Sequence, residues 1–289
     1  MTQHPALALK ALIDSGRLVR APGAYDALSA RLVERAGFEA VYMTGFGATA
    51  SRIGQPDIGL LTQTEMCTHA RDMARAVQIP IIADADTGYG GPSNIARTVD
   101  EYIQARVAAI HLEDQVAPKR CGQMAGIRLV DALENERRLR CAVAARGDRP
   151  LLIIGRTDAL PACGIDEAVN RAARWHDAGV DLVFVDGVKT RSEVEAIARR
   201  VSGPKVVSLV DGTDAASLTM SELQEMGFTV ALYAVTTLFA AAAAVKNALD
   251  HLQQQGAPLL PQAQRMSYAE FTDVVDLASH QKLDEKFGA

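Results

Sequence analysis

The chain lacks a hydrophobic run long enough to cross a bilayer. Its longest, residues 238–245, is mostly alanine, and a helical span needs about 20 residues. Residues 1–15 show neither the apolar core nor the small-residue cleavage site of a signal peptide, only a mildly amphipathic pattern with Lys10 and Asp14. A soluble, cytoplasmic protein is therefore expected. Cysteine is scarce: Cys67, Cys121, Cys141 and Cys163 show no CxxC spacing, which argues against a zinc site or a disulfide scaffold. No basic cluster rises above ordinary helix-surface patterning. With 30 basic and 35 acidic residues the net charge is −5, so neither nucleic acid nor membrane is an expected partner. No GxGxxG follows the first strand pattern, which counts against dinucleotide binding. Gly-rich linkers and low-complexity tracts are also missing, and 48% of the 289 residues are hydrophobic. One domain spanning residues 1–289, with ample core, is expected.

What is present is an alternation. β-branched runs at residues 18–21, 40–44, 79–83, 108–112, 151–155, 182–185, 205–209 and 230–234 alternate with helix-period segments at 26–36, 61–77, 94–105, 131–145, 166–178, 191–201 and 220–226. A βα unit repeated in this way predicts an α/β fold of the (β/α)8 TIM-barrel type, with an open doubly wound sheet as the alternative. More helix follows at 237–254 and 267–277, the second opening on a Ser-Tyr-Ala-Glu capping box. The expected fold is thus a barrel with a helical C-terminal extension from about residue 237.

In such barrels the site lies where strands end and βα loops begin, and acids concentrate there. The run at 79–83 leads into Asp84-Ala85-Asp86-Thr87-Gly88-Tyr89-Gly90-Gly91, and the run at 108–112 into Glu113 and Asp114. Asp84 and Asp86, two residues apart, project to one side of the strand end. With Glu113 from the next strand they make an oxygen cluster that repels itself unless a proton or a cation intervenes. Mg²⁺ fits, with Mn²⁺ as a substitute, because a hard ion takes oxygen ligands and leaves room for water and substrate. The plainer reading is that one or two of these acids cap the following loop. Gly88, Gly90 and Gly91 either let backbone approach a ligand or form a structural turn. Gly45-Phe46-Gly47, after Tyr42 and Thr44, either presents backbone N–H groups to a carboxylate or is a simple tight turn.

The segment after Glu113 carries the most chemistry: Asp114-Gln115-Val116-Ala117-Pro118-Lys119-Arg120-Cys121-Gly122-Gln123. Neighbouring cations stabilise a thiolate, so Cys121 is expected to lose or hold its proton near neutral pH. Such a loop is a poor place for core packing, which favours a reactive thiol over a buried apolar one. Cys67 and Cys141 fall in helical patterns and Cys163 follows Pro161 in a loop, and all three read as structural. Arg156 ends a strand run and offers a planar fork to a carboxylate or metal-linked oxygen; a buried pair with Asp158 is the alternative. His111 reads as a satisfied core histidine, and His4, His69, His176, His251 and His280 as surface or helix residues.

Together, Asp84 to Gly90, Glu113-Asp114-Gln115, Lys119-Arg120-Cys121-Gly122 and Arg156-Thr157-Asp158 resemble the isocitrate lyase / phosphoenolpyruvate mutase superfamily. The cysteine loop is most similar to its lyase branch: methylisocitrate lyase, dimethylmalate lyase and oxaloacetate hydrolase. The resemblance runs from Pro22-Gly23-Ala24-Tyr25-Asp26 through the eighth strand. It implies a C-terminal helix exchanged between subunits of a homotetramer, a dimer of dimers. It implies Mg²⁺ held mainly through water by Asp84, Asp86 and Glu113. It implies a 2-oxo acid or glyoxylate moiety against Tyr42, Thr44, Gly45, Phe46, Asp57 and Arg156, with Cys121 on a mobile lid. Gly122 is counted with the substrate-binding residues, as are three positions that depart from the methylisocitrate lyase pattern. These are Gln123 in place of histidine, Asp186 in place of glutamate and Ser208 in place of asparagine. They bear on the substrate half that becomes succinate.

The expected reaction is retro-aldol cleavage of a 2-hydroxy di- or tricarboxylate to pyruvate or glyoxylate plus a carboxylic acid. Tyr42 or a metal-linked group would take the hydroxyl proton, and Cys121 would protonate the departing enolate. Lys119 and Arg120 would stabilise its charge and tune the thiol. Hydrolysis or decarboxylation of oxaloacetate is the nearest rival, since a short substrate needs less of the half touched by Gln123, Asp186 and Ser208. A phosphonomutase is a second rival, against which Cys121 argues. A barrel that binds a carboxylate without turning it over is the non-enzymatic alternative. The retention of Cys121, Lys119, Arg156 and the acids argues against that one.

Overall fold

The computed structural model describes residues 3–258, 261 and 264–288; the other positions of the expected 1–289 domain, Met1 and Thr2 among them, lie outside the described residues. In chain order the elements are α1 (Pro5–Asp14), β1 (Val19–Ala24), α2 (Ala27–Arg35), β2 (Val41–Met43), α3 (Gly45–Ile53), α4 (Gln63–Ala76), β3 (Ile81–Asp84), α5 (Pro92–Ala105) and β4 (Ala109–Glu113). They continue with α6 (Ala132–Arg146), β5 (Leu152–Thr157), α7 (Ala159–Cys163), α8 (Ile165–Asp177), β6 (Leu182–Val185), α9 (Arg191–Arg200), β7 (Lys205–Leu209), α10 (Met220–Glu225) and β8 (Val230–Tyr233). The tail adds α11 (Thr236–Gln255), α12 (Tyr268–Val274) and α13 (Leu277–Phe287). All eight expected strands form and close into one parallel barrel, with β8 pairing back onto β1.

Each strand is apolar on both faces because one face meets the barrel interior and the other the ring of helices. The interior cluster includes Ala109 of β4, Ile154 of β5, Phe184 of β6 and Val206 of β7. The outer layer takes the alternate residues, such as Ile110, Ile153, Val183 and Val207, together with Trp175 of α8. Helix α8 lies close on β5: a Cβ on Gly155 would meet the Trp175 Cβ at 3.0 Å. Several helices begin with reciprocal capping boxes, Thr62 with Glu65, Thr190 with Glu193 and Thr219 with Glu222. Each such cap contributes about 1 kcal/mol and sets where its helix leaves the preceding loop.

Several helices depart from the sequence expectation. Gly45-Phe46-Gly47 is not an isolated tight turn but the first turn of α3, capped by the Thr44 hydroxyl. Its glycines disfavour helix intrinsically, and burial of Gly45, Gly47, Ala48 and Thr49 overrides that preference. Cys163 is the exposed last residue of α7 rather than a loop residue. Helix α1 forms within the mildly amphipathic N-terminal stretch, capped by the His4 ring. The pattern expected at 267–277 divides, because Asp276 takes a left-handed conformation and α13 starts after it. Helix α11 extends through the expected 237–254 with no buried residue.

Candidate active site

Side chains alternate across a strand, so interior parity selects the residues that meet at the mouth of the barrel. Tyr42, Asp84, Glu113, Arg156, Asp186 and Ser208 all share the parity of interior apolar residues on the same strands. The register then sets neighbours: Asp84 pairs with His111 across β3 and β4, and Glu113 pairs with Arg156 across β4 and β5. A cavity of about 100 Å³ opens there, lined by Tyr42, Thr44, Phe46, Asp57, Asp84, Cys121, Gly122, Gln123, Arg156, Asp186 and Ser208, among others. The structure thus brings most of the expected site residues to one place. Gly45 adjoins it, its N–H donating to Asp84 Oδ2 at 3.3 Å.

The floor is a carboxylate cluster. Asp84 Oδ1 accepts from the Asp86 N–H at 2.9 Å and lies 3.7 Å from His111 Nδ1. Burial alone would raise Asp84, but the charge His111 gains in acid, with Lys119 and Arg156, brings it down to about 2. Asp86 goes the other way. Burial, with repulsion from Asp84 and Asp57, raises it to about 6 against the pull of Lys119. Burial also holds Glu113 well above the usual carboxylate range despite Arg156. Asp86 Oδ1 faces the Lys119 ammonium at 2.9 Å, and both Glu113 oxygens are buried without a hydrogen-bond partner. Unspent acceptors of this kind are the donor set that a hard divalent cation takes, so the residues present fit such an ion. Among the described residues no three His, Cys, Asp or Glu side chains are grouped to grip one directly.

Arg156 both forms the pair with Asp158 and faces the cavity. Its NH2 lies 2.8 Å from Asp158, 2.6 Å from Asp186 and 3.4 Å from Glu113. Its guanidinium also stacks over Phe184, 5.5 Å from the ring centre. Tyr42 is buried, and its hydroxyl lies 3.0 Å from His111 Nε2. Burial and the Asp84 charge hold the phenol well above its ordinary range, which suits a hydrogen-bond donor better than a base. His111, expected as a plain core residue, therefore touches two site groups. Burial lowers it to about 4, so it is neutral at pH 7. Its parity with Ala109 and Glu113 was the available signal.

The cysteine loop folds down over the cavity. Its stem is a short ribbon in which Gln115 bridges to Leu129 and the Val116 N–H donates to the Arg128 carbonyl. The Gln115 amide grips Arg120 through both backbone groups, at 2.7 and 2.9 Å. The Cys121 N–H donates to the Asp57 carbonyl at 3.0 Å. The glycine after the cysteine allows the final approach. A Cβ on Gly122 would stand 2.4 Å from Asp186 Oδ2 and 2.7 Å from Asp158 Oδ1.

Here the expected role of the two cations is corrected. Lys119 is buried and Cys121 half-buried, while Arg120 between them is exposed to solvent. Lys119 Nζ lies 2.7 Å from Asp57 and 2.9 Å from Asp86, which spends its charge on carboxylates rather than on the thiol. Burial consequently pushes Cys121 up to about 11, only partly opposed by a backbone hydrogen bond at Gln123. The thiol keeps its proton at neutral pH. Arg120, like Lys119, lines no part of the cavity, and unlike Lys119 it is exposed. Gly88, Gly90 and Gly91 likewise line no part of it and form the turn before α5. The apolar wall of Phe184, Val210, Val235 and Phe239 was not foreseen, since apolar strand-end residues carry no chemical signature.

A closed parallel barrel with ionisable groups gathered at the C-terminal ends of its strands is the layout of a TIM-barrel enzyme. The chain belongs to the PEP mutase/isocitrate lyase superfamily: the family model for phosphoenolpyruvate phosphomutase matches residues 9–253. It is 36% identical over 284 residues to a 2,3-dimethylmalate lyase of Eubacterium barkeri, with 98% of each chain covered. Its fold is similar to that of oxaloacetate acetylhydrolase in complex with the inhibitor 3,3-difluorooxalacetate, with a TM-score of 0.93 and 34% identity, covering 99% of this chain and 98% of that one. It is also similar to a phosphonopyruvate hydrolase solved with oxalate and Mg²⁺, with a TM-score of 0.89 and 30% identity over 99% of both chains.

Proposed function

We propose that this protein is a magnesium-dependent carbon–carbon lyase that cleaves a 2-hydroxy dicarboxylate to pyruvate or glyoxylate and a shorter carboxylic acid. The observation that carries this reading is the seating of the Cys121 loop against the strand-end groups, so close that a Cβ on Gly122 would stand 2.4 Å from Asp186 and 2.7 Å from Asp158. That seating puts a thiol whose burial pushes it up to about 11 on the same cavity as Arg156 and Asp84. Asp84, Asp86 and Glu113 would hold Mg²⁺, or Mn²⁺ in its place, largely through water. Bound there, the ion lowers the pKa of a nearby hydroxyl. Arg156, Tyr42 and Thr44, with Gly45, Phe46 and Asp57 beside them, hold the fragment that becomes the 2-oxo acid. A carboxylate of the Asp84, Asp86 and Glu113 cluster would take the hydroxyl proton as the new carbonyl forms; the carbon–carbon bond breaks, its electron pair goes to the departing carboxylate fragment, and Cys121 delivers a proton to that carbon. Lys119 fixes the loop through Asp57 and Asp86, and Gly122, Gln123, Asp186 and Ser208 face the departing fragment.

Charge favours a dicarboxylate over a tricarboxylate. The cavity is lined by one cation, Arg156, against Asp57, Asp84 and Asp186. With the divalent ion and Arg156 each partnering one substrate carboxylate, a third would find no partner, and an uncompensated buried charge is costly. The apolar wall suits an alkyl substituent, as on a dimethylmalate. The test is product analysis with Mg²⁺ against methylisocitrate, isocitrate, dimethylmalate and oxaloacetate. Release of a 2-oxo acid from the alkylmalate supports the lyase; inertness toward every hydroxy acid sinks it.

A second reading, hydrolysis of oxaloacetate, is favoured by the small cavity, about 100 Å³ with the loop closed. Oxalate from oxaloacetate, with no cleavage of the others, would select it.

We further propose that the chain works as one barrel domain in the cytoplasm, as a homotetramer whose C-terminal helices are exchanged between subunits. No helix among the described residues is long and apolar enough to cross a membrane. Support for association comes from exposed Val245 and Leu249 on α11 and Phe287 on α13, apolar groups that a second subunit would cover. Light scattering of the purified protein checks the assembly.

A further inference from the structure

Arg171 lies on α8, outside the cavity, yet it is tied to both ends of the cysteine loop. Its NH1 donates to Asp114 Oδ2 and to the Val130 carbonyl, each at 3.0 Å. Its Nε donates to Glu167, one turn back on α8, at 2.7 Å. Asp114 is the first residue after β4, and Val130 stands just before Asp131, the cap of α6. These two residues are also joined directly, the Val130 N–H donating to the Asp114 carbonyl at 2.9 Å.

A second chain of contacts leads from the same carboxylate into the site. Asp114 accepts from the Thr157 hydroxyl at 2.7 Å and from the Asp158 N–H at 2.9 Å. Asp158 in turn holds Arg156. Asp114 is fully buried and Arg171 nearly so. Removing the guanidinium would leave a buried carboxylate without its cation and the Val130 carbonyl without this donor, and both are unfavourable. A lysine could not replace it fully, because three acceptors spread around one fork need the planar guanidinium.

We propose that Arg171 is a positioning residue: by stapling Asp114 to Val130 it sets the closed register of the 115–129 loop, and through Asp114 and Asp158 it sets the angle at which Arg156 meets the substrate. The kinetic part of this inference rests on the lyase reading; the part concerning loop position does not. Arg171 touches neither the reacting atoms nor the carboxylates assigned to the metal, so its effect passes through the loop and through Arg156.

The experiment compares wild type with Arg171→Gln and Arg171→Lys. Iodoacetamide labelling of Cys121 is followed by mass spectrometry, with exposed Cys163 as the internal reference. In Arg171→Gln the Cys121/Cys163 labelling ratio should rise about tenfold or more. The kcat should fall and KM should rise on whichever substrate the product panel identifies, and Arg171→Lys should recover part of both. A merely structural role would lower the melting temperature and leave the labelling ratio of the folded protein and KM unchanged. A ratio within twofold of wild type in both variants overturns the proposal. Should Arg171→Gln fail to fold, Arg171→Lys decides alone, with a raised ratio supporting and an unchanged one refuting. Should no substrate be found, the ratio still decides the loop claim, and only the lyase reading falls.

Discussion

Lys119 Nζ lies 2.9 Å from Asp86 Oδ1, and both side chains are sealed from solvent. A cation carried by the loop thus sits against a carboxylate of the floor, so loop closure and the charge of the floor are coupled. Lys119→Met should lower turnover at least a hundredfold, because the loop loses its latch to Asp57 and Asp86. Mg²⁺ affinity, read by calorimetry, should stay level or tighten, since a competing cation is gone. Weaker Mg²⁺ binding in this variant would contradict the arrangement.

Cys121→Ser tests the proton donor. A hydroxyl in the same place is a far weaker acid, and loss of a positioned general acid typically costs about 10²–10⁴-fold. Turnover should fall by that order while Mg²⁺ binding persists. Arg120→Ala, by contrast, should change turnover less than threefold, because its side chain faces solvent. Near-wild-type turnover by the serine variant would remove Cys121 from the reaction.

Metal binding should depend on pH in a defined window. Asp86 is raised from 3.8 to about 6, so the ion-free fold holds a proton there that the unfolded chain releases earlier. That carboxyl costs stability as pH rises from about 4 through 6, and a bound cation offsets the cost. The rise in melting temperature on adding Mg²⁺ should therefore be small at pH 5 and larger at pH 8. In Asp86→Ala the Mg²⁺-dependent shift and the activity should vanish together. Activity of that variant in chelator would refute the assignment.

Gly122→Ala probes closure. The added methyl would stand 2.4 Å from Asp186 Oδ2, so the loop must lift or Arg156 must shift. Misplacement of about 1 Å in a catalytic array costs about a hundredfold, and kcat/KM should fall by that order with little change in melting temperature. Stopped-flow fluorescence or the Cys121 labelling rate would show the loop held open; unchanged kcat/KM would mean that closure is not needed.

Much of this site is legible in the chain because strand parity is local. Tyr42, Asp84, Glu113, Arg156, Asp186 and Ser208 follow apolar runs at fixed spacing, and a period of two sends each to the interior whatever its neighbours are. The eight βα units are equally local, since each carries its own hydrophobic period and many carry their own cap. What the sequence by itself determined is therefore the barrel and the set of residues facing its mouth. Only the tertiary structure decided how they are partnered. Lys119 and Arg120 are adjacent cations, and nothing in their identity says that one would be buried on Asp57 and Asp86 and the other left in water. The sequence leaves open whether the Cys121 thiol loses or holds its proton; burial, with the nearby lysine already spent, leaves it protonated. Helix α3 formed over two glycines because packing outweighed propensity, and Arg171 reached Asp114 from an outer helix 57 residues away. Contacts of that range depend on how separate elements dock, a long-range property that no local period encodes.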